Sequence, residues 1–421
     1  GEPLPYAGAG VASVEELFAR LQAKFGYEPY REYEGGPLLG LSKESTLSGV
    51  VGRRSITLEP GAQFELSGAP WPTLHDVSKE LDQHWAELKP ISDELGIEWL
   101  GIGFHPTAKP SELPWVPKER YPVMKEYLPK GGSRAHDMMQ RTATVQANFD
   151  FSSEEDALRK VRVSLRLSPV IQTMTANSPF IEGRVSERQS ERADVWLNMP
   201  KDRSGLIPSL WEDRRLGYRD YMNWALDAGM FLFKRGERTF KNTGQTFRSF
   251  MRDGFQGEVA QQADWVLHLN TLFPEARLKN TIEVRSCDMQ NAELLCAVPA
   301  LYTGLLYDDQ ALAQAERLAM TFSLQQVEQA RPTLTRLGLA GQIAGASLRG
   351  LAEQLFDIAQ GGLRRRGLVQ GGQDESQYLA PLRQLLDRGQ NPAEALTQGL
   401  QIGAPVSTAE VLWRAPLFVA K

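Results

Sequence analysis

The chain has 421 residues, of which 42% are hydrophobic and 24% are charged, and its formal net charge is −5 at pH 7. These values are ordinary for a globular protein of about two to three domains or one large α+β unit, and the negative charge excludes a general nucleic-acid binder, which needs a basic surface. Two cysteines exclude a disulfide-rich secreted scaffold, and the sequence shows neither a signal peptide nor an apolar run of about 20 residues. We therefore expect a cytoplasmic protein without a membrane segment.

The first periodic segment is Val14–Phe25, whose apolar residues recur at helical spacing. Ser13 precedes this segment as an N-cap, and Glu16 is placed to complete a capping box. Residues 71–95 show the same spacing, and Thr73 can cap them. We predict a helix for each of these two segments.

Between these helices, residues 55–67 alternate polar and apolar side chains. Side chains of a strand point to opposite faces in turn, so the alternation predicts a half-buried strand that is interrupted at Pro60-Gly61. Glu59 and Glu65 fall on the polar face. The polar face therefore offers two carboxylates.

Residues 106–135 are rich in proline and glycine. Such a composition punctuates regular structure, so we predict a long surface excursion here. Long loops of this kind are often functional, and we expect this one to take part in binding.

Two further segments, residues 141–150 and residues 277–285, show the same two-residue alternation. Their polar faces carry amides, carboxylates and guanidinium groups: Gln146, Asn148, Asp150, Arg277, Glu283 and Arg285. One interpretation is that all three strand segments belong to an antiparallel sheet with one face in water. If the strands are neighbours, however, the carboxylates form a patch bordered by guanidinium groups, which suits Mg²⁺ and phosphate. The alternation by itself leaves both interpretations open.

The remainder of the chain reads mainly as helices. Ser153 caps a helix that runs toward Thr175, and from residue 291 onward the sequence is helical, with breaks expected at Gly341, Gly361-Gly362 and Gly371-Gly372. We predict an antiparallel-sheet core over residues 1–290 and a helical region over residues 291–421 packed on that core.

Common catalytic and cofactor motifs are absent from the sequence. It contains no GxxxxGK[ST], no GxGxxG after a strand, no HExxH, no CxxC and no GxSxG. The sequence therefore supports no P-loop, dinucleotide fold, zinc site or covalent serine nucleophile.

Several longer segments together carry a family resemblance over roughly residues 15–315. They include SITLEPGAQFELSGAP at 55–70, LGIGFHP at 100–106, PKERYPVMKEYLP at 117–129, DMMQRTATVQANFDFSSEEDALRK at 137–160, RADVW at 192–196, KDRSG at 201–205 and DWVLHLNTLFPEARLKNTIEVRSCD at 264–288. On these segments the chain resembles the plant-type glutamate–cysteine ligases, which also occur in many bacteria.

The resemblance implies an α+β fold with a glutamine-synthetase-like curved antiparallel sheet and flanking helices. It also implies a reaction in which ATP phosphorylates the γ-carboxylate of glutamate and the amine of cysteine then displaces phosphate, the first step of glutathione biosynthesis. The implied cofactors are ATP and Mg²⁺, and the implied partners are small-molecule substrates, with no nucleic acid or membrane and with a monomer or homodimer as the assembly. A close variant would join the same activated glutamate to another amine.

The resemblance also implies a role for individual residues. Mg²⁺ binding falls to Glu59, Glu65, Gln146 and Glu283. Arg285 and Arg203 are expected to take part in catalysis and to contact the phosphates of ATP. Substrate binding falls to Arg192, Arg141 and Asn148.

The sequence departs from the family pattern in two places. In the family, a strand with a Gly-x-Glu-x-Glu pattern precedes the segment that matches GEPLPYAG, and its carboxylates help to build the metal site. The given sequence begins after that strand, which leaves two alternatives: the chain is truncated or processed, or the site is incomplete and the protein is a non-catalytic relative. The second departure concerns the plant enzymes' regulatory disulfides: Cys296 matches one position, but Val77-Ser78 offers no thiol where its partner would stand, so we expect no redox switching through that bridge.

Overall fold

Helices and short strands alternate along the chain in the computed structural model, which describes residues 2–8, 12–236 and 238–418. The helices of this described part are α1 (Val14–Phe25), α2 (Leu74–Leu95), α3 (Arg120–Tyr127), α4 (Ala135–Arg141), α5 (Glu154–Met174), α6 (Glu191–Leu197), α7 (Tyr218–Asp227), α8 (Phe247–Asp253), α9 (Gln262–Leu269), α10 (Ala297–Leu306), α11 (Asp309–Ala319), α12 (Leu324–Leu337), α13 (Leu348–Arg366), α14 (Ala380–Asp387), α15 (Pro392–Leu396) and α16 (Thr408–Arg414).

The strands are short, and most form two-stranded pairs. They are β1 (Glu28–Tyr30), β2 (Gly40–Leu47), β3 (Val50–Leu58), β4 (Phe64–Ser67), β5 (Ala147–Phe149), β6 (Phe180–Ile181), β7 (Arg184–Val185), β8 (Ser204–Gly205), β9 (Leu232–Arg235), β10 (Arg238–Lys241), β11 (Phe273–Pro274), β12 (Ala276–Leu278), β13 (Ile282–Val284), β14 (Gln342–Ile343), β15 (Ala346–Ser347), β16 (Val369–Gln370) and β17 (Gln373–Asp374).

Two antiparallel sheets contain the three strand segments that the sequence singles out. One sheet has the order β1-β2-β3-β4, and the other has the order β12-β13-β5. The predicted α+β class is confirmed. Residues 277–285 pair with residues 141–150, whereas residues 55–67 form a hairpin in the other sheet, so the interpretation that places all three segments in one sheet does not match the strand pairing. A single curved sheet of the glutamine-synthetase type stays a prediction.

The β3–β4 hairpin is fixed to α4 by close main-chain contact. A Cβ atom at Gly61 would lie 2.5 Å from the main-chain oxygen of Gln140, so only glycine fits at this approach. The side-chain amide of Gln63 donates hydrogen bonds to the carbonyls of Met139 and Thr142, each at 3.1 Å. These contacts bring the hairpin beside the segment that leads into β5.

The strand predicted over residues 141–150 is shorter in the structure. Arg141 ends α4, and only Ala147–Phe149 is a continuous strand, preceded by single bridges at Thr142 and Thr144. Met139, on α4, is buried in the core, and its neighbours continue the helix up to Arg141. Arg141 therefore does not lie on the strand, and the structure does not extend the Gln146 face back to it.

The caps predicted for the first helices are confirmed in part. Ser13, Thr73 and Ser153 accept hydrogen bonds from the main-chain N–H groups of α1, α2 and α5, respectively. The predicted capping box at α1 is wrong, because the carboxylate of Glu16 pairs with Arg20 at 2.7 Å instead of returning to the cap.

The segment over residues 106–135 is more regular than a surface excursion. It contains α3, on which Tyr121 and Met124 are buried in the same hydrophobic cluster as α1. The cause is local: two aromatic or apolar residues three positions apart give this short segment one buried face. The expected excursion is therefore partly wrong.

The helical region after residue 291 packs on α5, most of whose side chains are buried. The break expected at Gly361-Gly362 is wrong, since both residues lie inside α13. A Cβ atom at Gly362 would lie 2.0 Å from the main-chain oxygen of Gly304 on α10, so the glycines allow two helices to approach closely. One hydrophobic cluster contains residues from both sides of the predicted boundary at residue 290, and that boundary stays a prediction.

No helix in the described ranges is long and apolar enough to span a membrane.

Candidate active site

The register of the β12–β13–β5 sheet lines up its polar side chains. Glu283 on β13 lies between Arg277 on β12 and Asn148 on β5, and opposed residues project from the same face of a sheet. The alternate positions point the other way, where Ile282 is fully buried in the core. Because a shift of one residue would exchange the two faces, this burial fixes the polar face.

Glu283 is the most heavily ion-paired carboxylate on this face. Arg277 donates to its two carboxylate oxygens at 2.9 and 2.7 Å, Arg285 also donates to it, and the Nζ of Lys279 lies 3.5 Å away. The residue is only 5% exposed. Burial alone would raise its pKa, but the three cations, led by Arg285, lower the pKa of the Glu283 carboxyl to about 2. Glu283 is therefore ionised throughout the neutral range.

Arg285 extends the same face beyond the end of β13. Its Nη1 donates a hydrogen bond to Oε1 of Gln146 at 3.1 Å as well as to the carboxylate of Glu283. The structure thus brings together three residues that the sequence singled out: an amide, a carboxylate and a guanidinium group.

The β3–β4 hairpin brings a second set of carboxylates to this region. Glu65 lies on β4, and Glu59 follows the end of β3. The pKa of the Glu65 carboxyl is raised to about 7, first by burial and then by the negative charge of Glu59, while Arg285 opposes the shift and Glu283 adds to it. The side chain itself is exposed to solvent. Charges from both sheets therefore act on this exposed carboxylate.

Lys118 and Arg120 are functional candidates that the sequence reasoning did not assign. Lys118 is buried and donates from Nζ to the main-chain oxygen of Leu58 at 2.7 Å. Burial lowers the pKa of Lys118 most, the charge of Arg120 lowers it further, and the carboxylates of Glu59 and Glu65 raise it. Both cations belong to the segment at 117–129 that carries the family resemblance, which was the available signal.

The carboxylates do not form a preassembled metal cage. In the part of the chain that the structure describes, no group of three or more His, Cys, Asp or Glu side chains could hold a metal ion as placed. The charge arrangement nevertheless fits Mg²⁺, because the negative groups that raise the pKa of Glu65 are those that a hard divalent cation would neutralise. Glu59 and Glu65 are the oxygen-bearing residues nearest to that requirement, whereas Arg285 already donates to the side-chain oxygen of Gln146 and the carboxylate of Glu283 is occupied by its arginine partners.

Arg192 lies in the interior and is 2% exposed. Its Nη2 donates to the main-chain oxygen of Arg285 at 2.7 Å, its Nη1 donates to that of Ser286 at 3.1 Å, and its Nη1 lies 3.8 Å from Asp288. Burial lowers the pKa of this guanidinium, and Asp288 opposes the shift. Arg192 therefore holds the main chain that carries Arg285.

Arg203 is fully buried and equally engaged with the main chain. It donates to the carbonyl of Thr271 at 3.2 Å and to that of Gly229, and its guanidinium lies 3.9 Å from the centre of the Phe231 ring. Burial lowers its pKa. The structure does not bring Arg203 onto the carboxylate face.

Arg141 and Asn148 have contrasting surroundings. Arg141 is buried at the end of α4, where it pairs with Asp137 at 3.1 Å and with Glu182 at 3.4 Å. Asn148 is exposed beside Glu283, and its Oδ1 accepts a hydrogen bond from Thr281 at 2.9 Å. Of the two, only Asn148 shares the polar face.

A cavity of about 830 Å³ lies beside the carboxylate face, at the tip of the β12–β13 hairpin. The hairpin contributes Lys279 and Thr281 to its wall, and helices α7 and α9 supply much of the remainder. None of the predicted metal ligands lines this cavity.

Comparison with known proteins gives a consistent result over most of the chain. The profile of the family described as Glutamate-cysteine ligase family 2 (GCS2) matches residues 31–409. A relative named glutamate–cysteine ligase, chloroplastic, from Medicago truncatula is 38% identical over 388 residues, which cover 91% of this chain and 73% of the relative.

Two further relatives have comparable identity to this chain and cover similar shares of it. The Arabidopsis thaliana protein of the same name is 38% identical over 91% of this chain and 71% of its own length. Glutamate–cysteine ligase B, chloroplastic, from Oryza sativa subsp. japonica is 40% identical over 82% of this chain and 69% of its own length.

Proposed function

Since the chain belongs to the Glutamate-cysteine ligase family 2, we propose that it uses ATP to join the γ-carboxylate of glutamate to the amine of cysteine. In this reaction the γ-phosphoryl group passes to the glutamate carboxylate, the cysteine amine forms the amide bond, and phosphate leaves. The product is the first intermediate of glutathione biosynthesis. The observation that carries the proposal is the contact of Arg285 with both Gln146 and Glu283, on a face whose charges also act on Glu65 of the other sheet.

The cationic side of this surface suits the oxygen charge of the transferred group. Phosphoryl transfer depends mainly on positioning and on neutralising that charge, so no covalent protein nucleophile is needed. Arg285 and Arg277 share the carboxylate of Glu283, which holds both guanidinium groups in place. We propose that Arg285, at the edge of this cluster, contacts phosphate.

The anionic side of the surface suits a divalent cation. We propose that Glu59, Glu65 and Gln146, with Glu283 next to them, provide the oxygen ligands of Mg²⁺. When bound, Mg²⁺ would offset the phosphate charge of ATP. The proximity of Lys118 to Glu59 and Glu65 supports a further role, in which this lysine limits repulsion between the two carboxylates.

Of the three residues predicted to bind substrate, Asn148 lies on the surface and Arg141 and Arg192 lie in the interior, as does Arg203, which was predicted to contact ATP phosphates. The exposure of Asn148 supports a direct contact with substrate. The main-chain contacts of Arg192 and Arg203 support a positioning role for both, and direct contact of Arg141, Arg192 or Arg203 with substrate stays a prediction. A cytoplasmic location and a monomeric or homodimeric assembly are also proposals.

The test is phosphate release with ATP, Mg²⁺, glutamate and a panel of amines. We expect release to depend on glutamate and to be fastest with cysteine. Equal rates with other amines would replace cysteine by a broader acceptor class. No release with any amine would indicate a non-catalytic relative, and calorimetry with ATP·Mg²⁺ and glutamate would then show which ligand is still bound.

A further inference from the structure

Helix α12, in the helical region after residue 290, carries a charge in the middle of its buried face. Val327, Arg331 and Leu334 are spaced so that they lie on one side of the helix, and all three are buried. Arg331 is 5% exposed, and its guanidinium pairs with the carboxylate of Glu275, which is 7% exposed. A buried charge is costly even when it is paired, so core packing alone does not account for an arginine here. The pair joins α12 to the segment between β11 and β12.

Glu275 leads directly to the residue proposed to contact phosphate. Its main-chain oxygen accepts a hydrogen bond from the main-chain N–H of Arg285 at 3.0 Å. Its own N–H donates to the carbonyl of Gly205 at 2.9 Å. The Nη1 of Arg331 lies 3.6 Å from the place that a Cβ atom would take at Gly205, so this guanidinium lies close to both residues. The ion pair therefore fixes the residue that holds the main-chain N–H of Arg285.

The same helix supports the carbonyl of Arg285 by a second route. Near the end of α12, the main-chain oxygen of Thr335 accepts hydrogen bonds from the N–H groups of Gln189 and Ser190 at 2.8 and 3.3 Å. Ser190 is the N-cap of α6, the helix that carries Arg192, and Arg192 donates to the carbonyl of Arg285 at 2.7 Å. Both main-chain polar groups of Arg285 are thus held by residues whose position depends on α12.

We propose that Arg331 is a positioning residue for Arg285 and that α12 thereby takes part in phosphate binding. Arg331 acts through Glu275, because its own side chain is buried in the interior. This inference rests on the proposed function, in which Arg285 contacts phosphate. It gives the helical region a role in the site that is separate from its packing on α5.

The primary test is a double-mutant cycle between Arg331→Met and Arg285→Met, measured by calorimetry as the Kd for inorganic tripolyphosphate·Mg²⁺. Arg331→Met alone should raise this Kd about 10-fold, the loss expected when one charge-assisted hydrogen bond is displaced. It should not raise the Kd further in the Arg285→Met background, because residues that act as a unit are not additive. Equal rises in both backgrounds would overturn the proposal, since a general loss of structure affects both alike.

Steady-state kinetics give an independent readout of the same displacement. In Arg331→Met, kcat per folded protein should fall about 10-fold or more, because a displacement of about 1 Å can cost about 100-fold in rate, whereas the KM for cysteine should stay near that of wild type. Arg331→Lys restores a cation opposite Glu275 and should recover part of kcat. An unchanged kcat in folded Arg331→Met would overturn the proposal.

A matched control removes another ion pair from the helical region. Arg366 pairs with the buried carboxylate of Glu375 at 3.1 Å, and Glu375 also accepts a hydrogen bond from the N–H of Leu74 on α2. Arg366→Met should therefore lower stability but leave both kcat per folded protein and the Kd for tripolyphosphate unchanged. Losses equal to those of Arg331→Met would overturn a specific role for Arg331.

A second variant covers the case in which Arg331→Met fails to fold. Glu275→Gln keeps the size of the side chain and removes its charge, so the same cycle with Arg285→Met should again be non-additive, and additive losses would overturn the proposal. If wild type is active and the cycle is additive, only the role of Arg331 is lost. If wild type binds tripolyphosphate without turnover, the binding cycle alone decides. If wild type neither releases phosphate nor binds tripolyphosphate, this inference and the proposed function both fail.

Discussion

The two sides of the candidate site shift the pKa of a carboxyl group in opposite directions. On the β12–β13–β5 sheet, three cations surround Glu283 and lower its pKa to about 2. On the β3–β4 hairpin, burial and the charge of Glu59 raise the pKa of Glu65 to about 7, although Arg285 acts on it as well. One side of the site therefore has excess positive charge that suits an anion, while the other has unneutralised negative charge that suits a cation. A substrate such as ATP·Mg²⁺ carries both kinds of charge.

The largest expected effect comes from removing the charge of Glu283. In Glu283→Gln, the two arginines lose the carboxylate that holds them, so kcat should fall about 100-fold or more. The variant should also lose about 3 kcal/mol of stability, because breaking a buried ion pair leaves uncompensated charge. Steady-state kinetics and urea unfolding measure the two effects. Glu44→Gln, at an exposed position on β2, is the control, and near-normal turnover in Glu283→Gln would remove this residue from the site.

The lowered pKa of Glu283 also predicts how the free energy of unfolding depends on pH. Because the pKa of Glu283 is lowered in the folded state, its ionised form stabilises the fold above pH 4.5, and that contribution is lost as pH falls from 4.5 to about 2. The loss should be about 3 kcal/mol. Urea unfolding between pH 2 and 6 measures it as the difference between wild type and Glu283→Gln. An unchanged pH dependence in the variant would mean that the carboxylate is not paired as described.

The contribution of Glu65 to stability should depend on pH in the opposite direction to that of Glu283. Its raised pKa means that the folded state binds this proton more tightly, so stability is lost as pH rises from 4.5 through about 7. Glu65→Gln should remove this part of the pH dependence and should be more stable than wild type at pH 8 without Mg²⁺. Thermal unfolding at pH 5 and pH 8 tests this, with and without Mg²⁺. If Mg²⁺ stabilises the variant as much as wild type, Glu65 is not a ligand.

The smallest expected effect is that of Lys118. The charge of this lysine lowers the pKa of Glu65, so Lys118→Met should raise that pKa further while keeping the apolar stem of the side chain. We expect a change of a few-fold in kcat/KM near neutral pH, with the profile shifted toward higher pH. A pH–rate profile measures the shift, and Lys125→Met, at an exposed position on α3, is the control. A profile that does not move would separate Lys118 from the carboxylates.

The sequence allowed part of this site to be predicted because alternation reports burial on one face. Gln146, Glu283 and Arg285 share a face in the structure because the residues between them had to enter the core. The same reasoning failed for Arg141, which belongs to a helix that ends where the alternation begins. A short alternating run does not show where its strand starts, since the preceding helix competes for the same residues.

Other features depend on contacts between distant segments and could not be read from local patterns. The burial of Arg192 against the carbonyl of Arg285 joins residues 93 positions apart. Gly361-Gly362 read as a break, since glycine is a poor helix former, but the approach of Gly304 from another helix gives these residues a packing role. The role of Lys118 was not predicted for a different reason. The segment at residues 106–135 was expected to take part in binding, but its composition does not indicate which of its residues makes the contact.

The close approach at Gly61 has a consequence for natural variation in this chain. A single methyl group at this position would collide with the carbonyl of Gln140 and lift the hairpin away from its neighbour. Every ionisable residue would keep its identity, yet the spacing between the anionic and cationic halves would change. Loss of function could thus arise from a neutral, chemically inert substitution, because the distance between the two charge sets is maintained by a residue that carries no side chain.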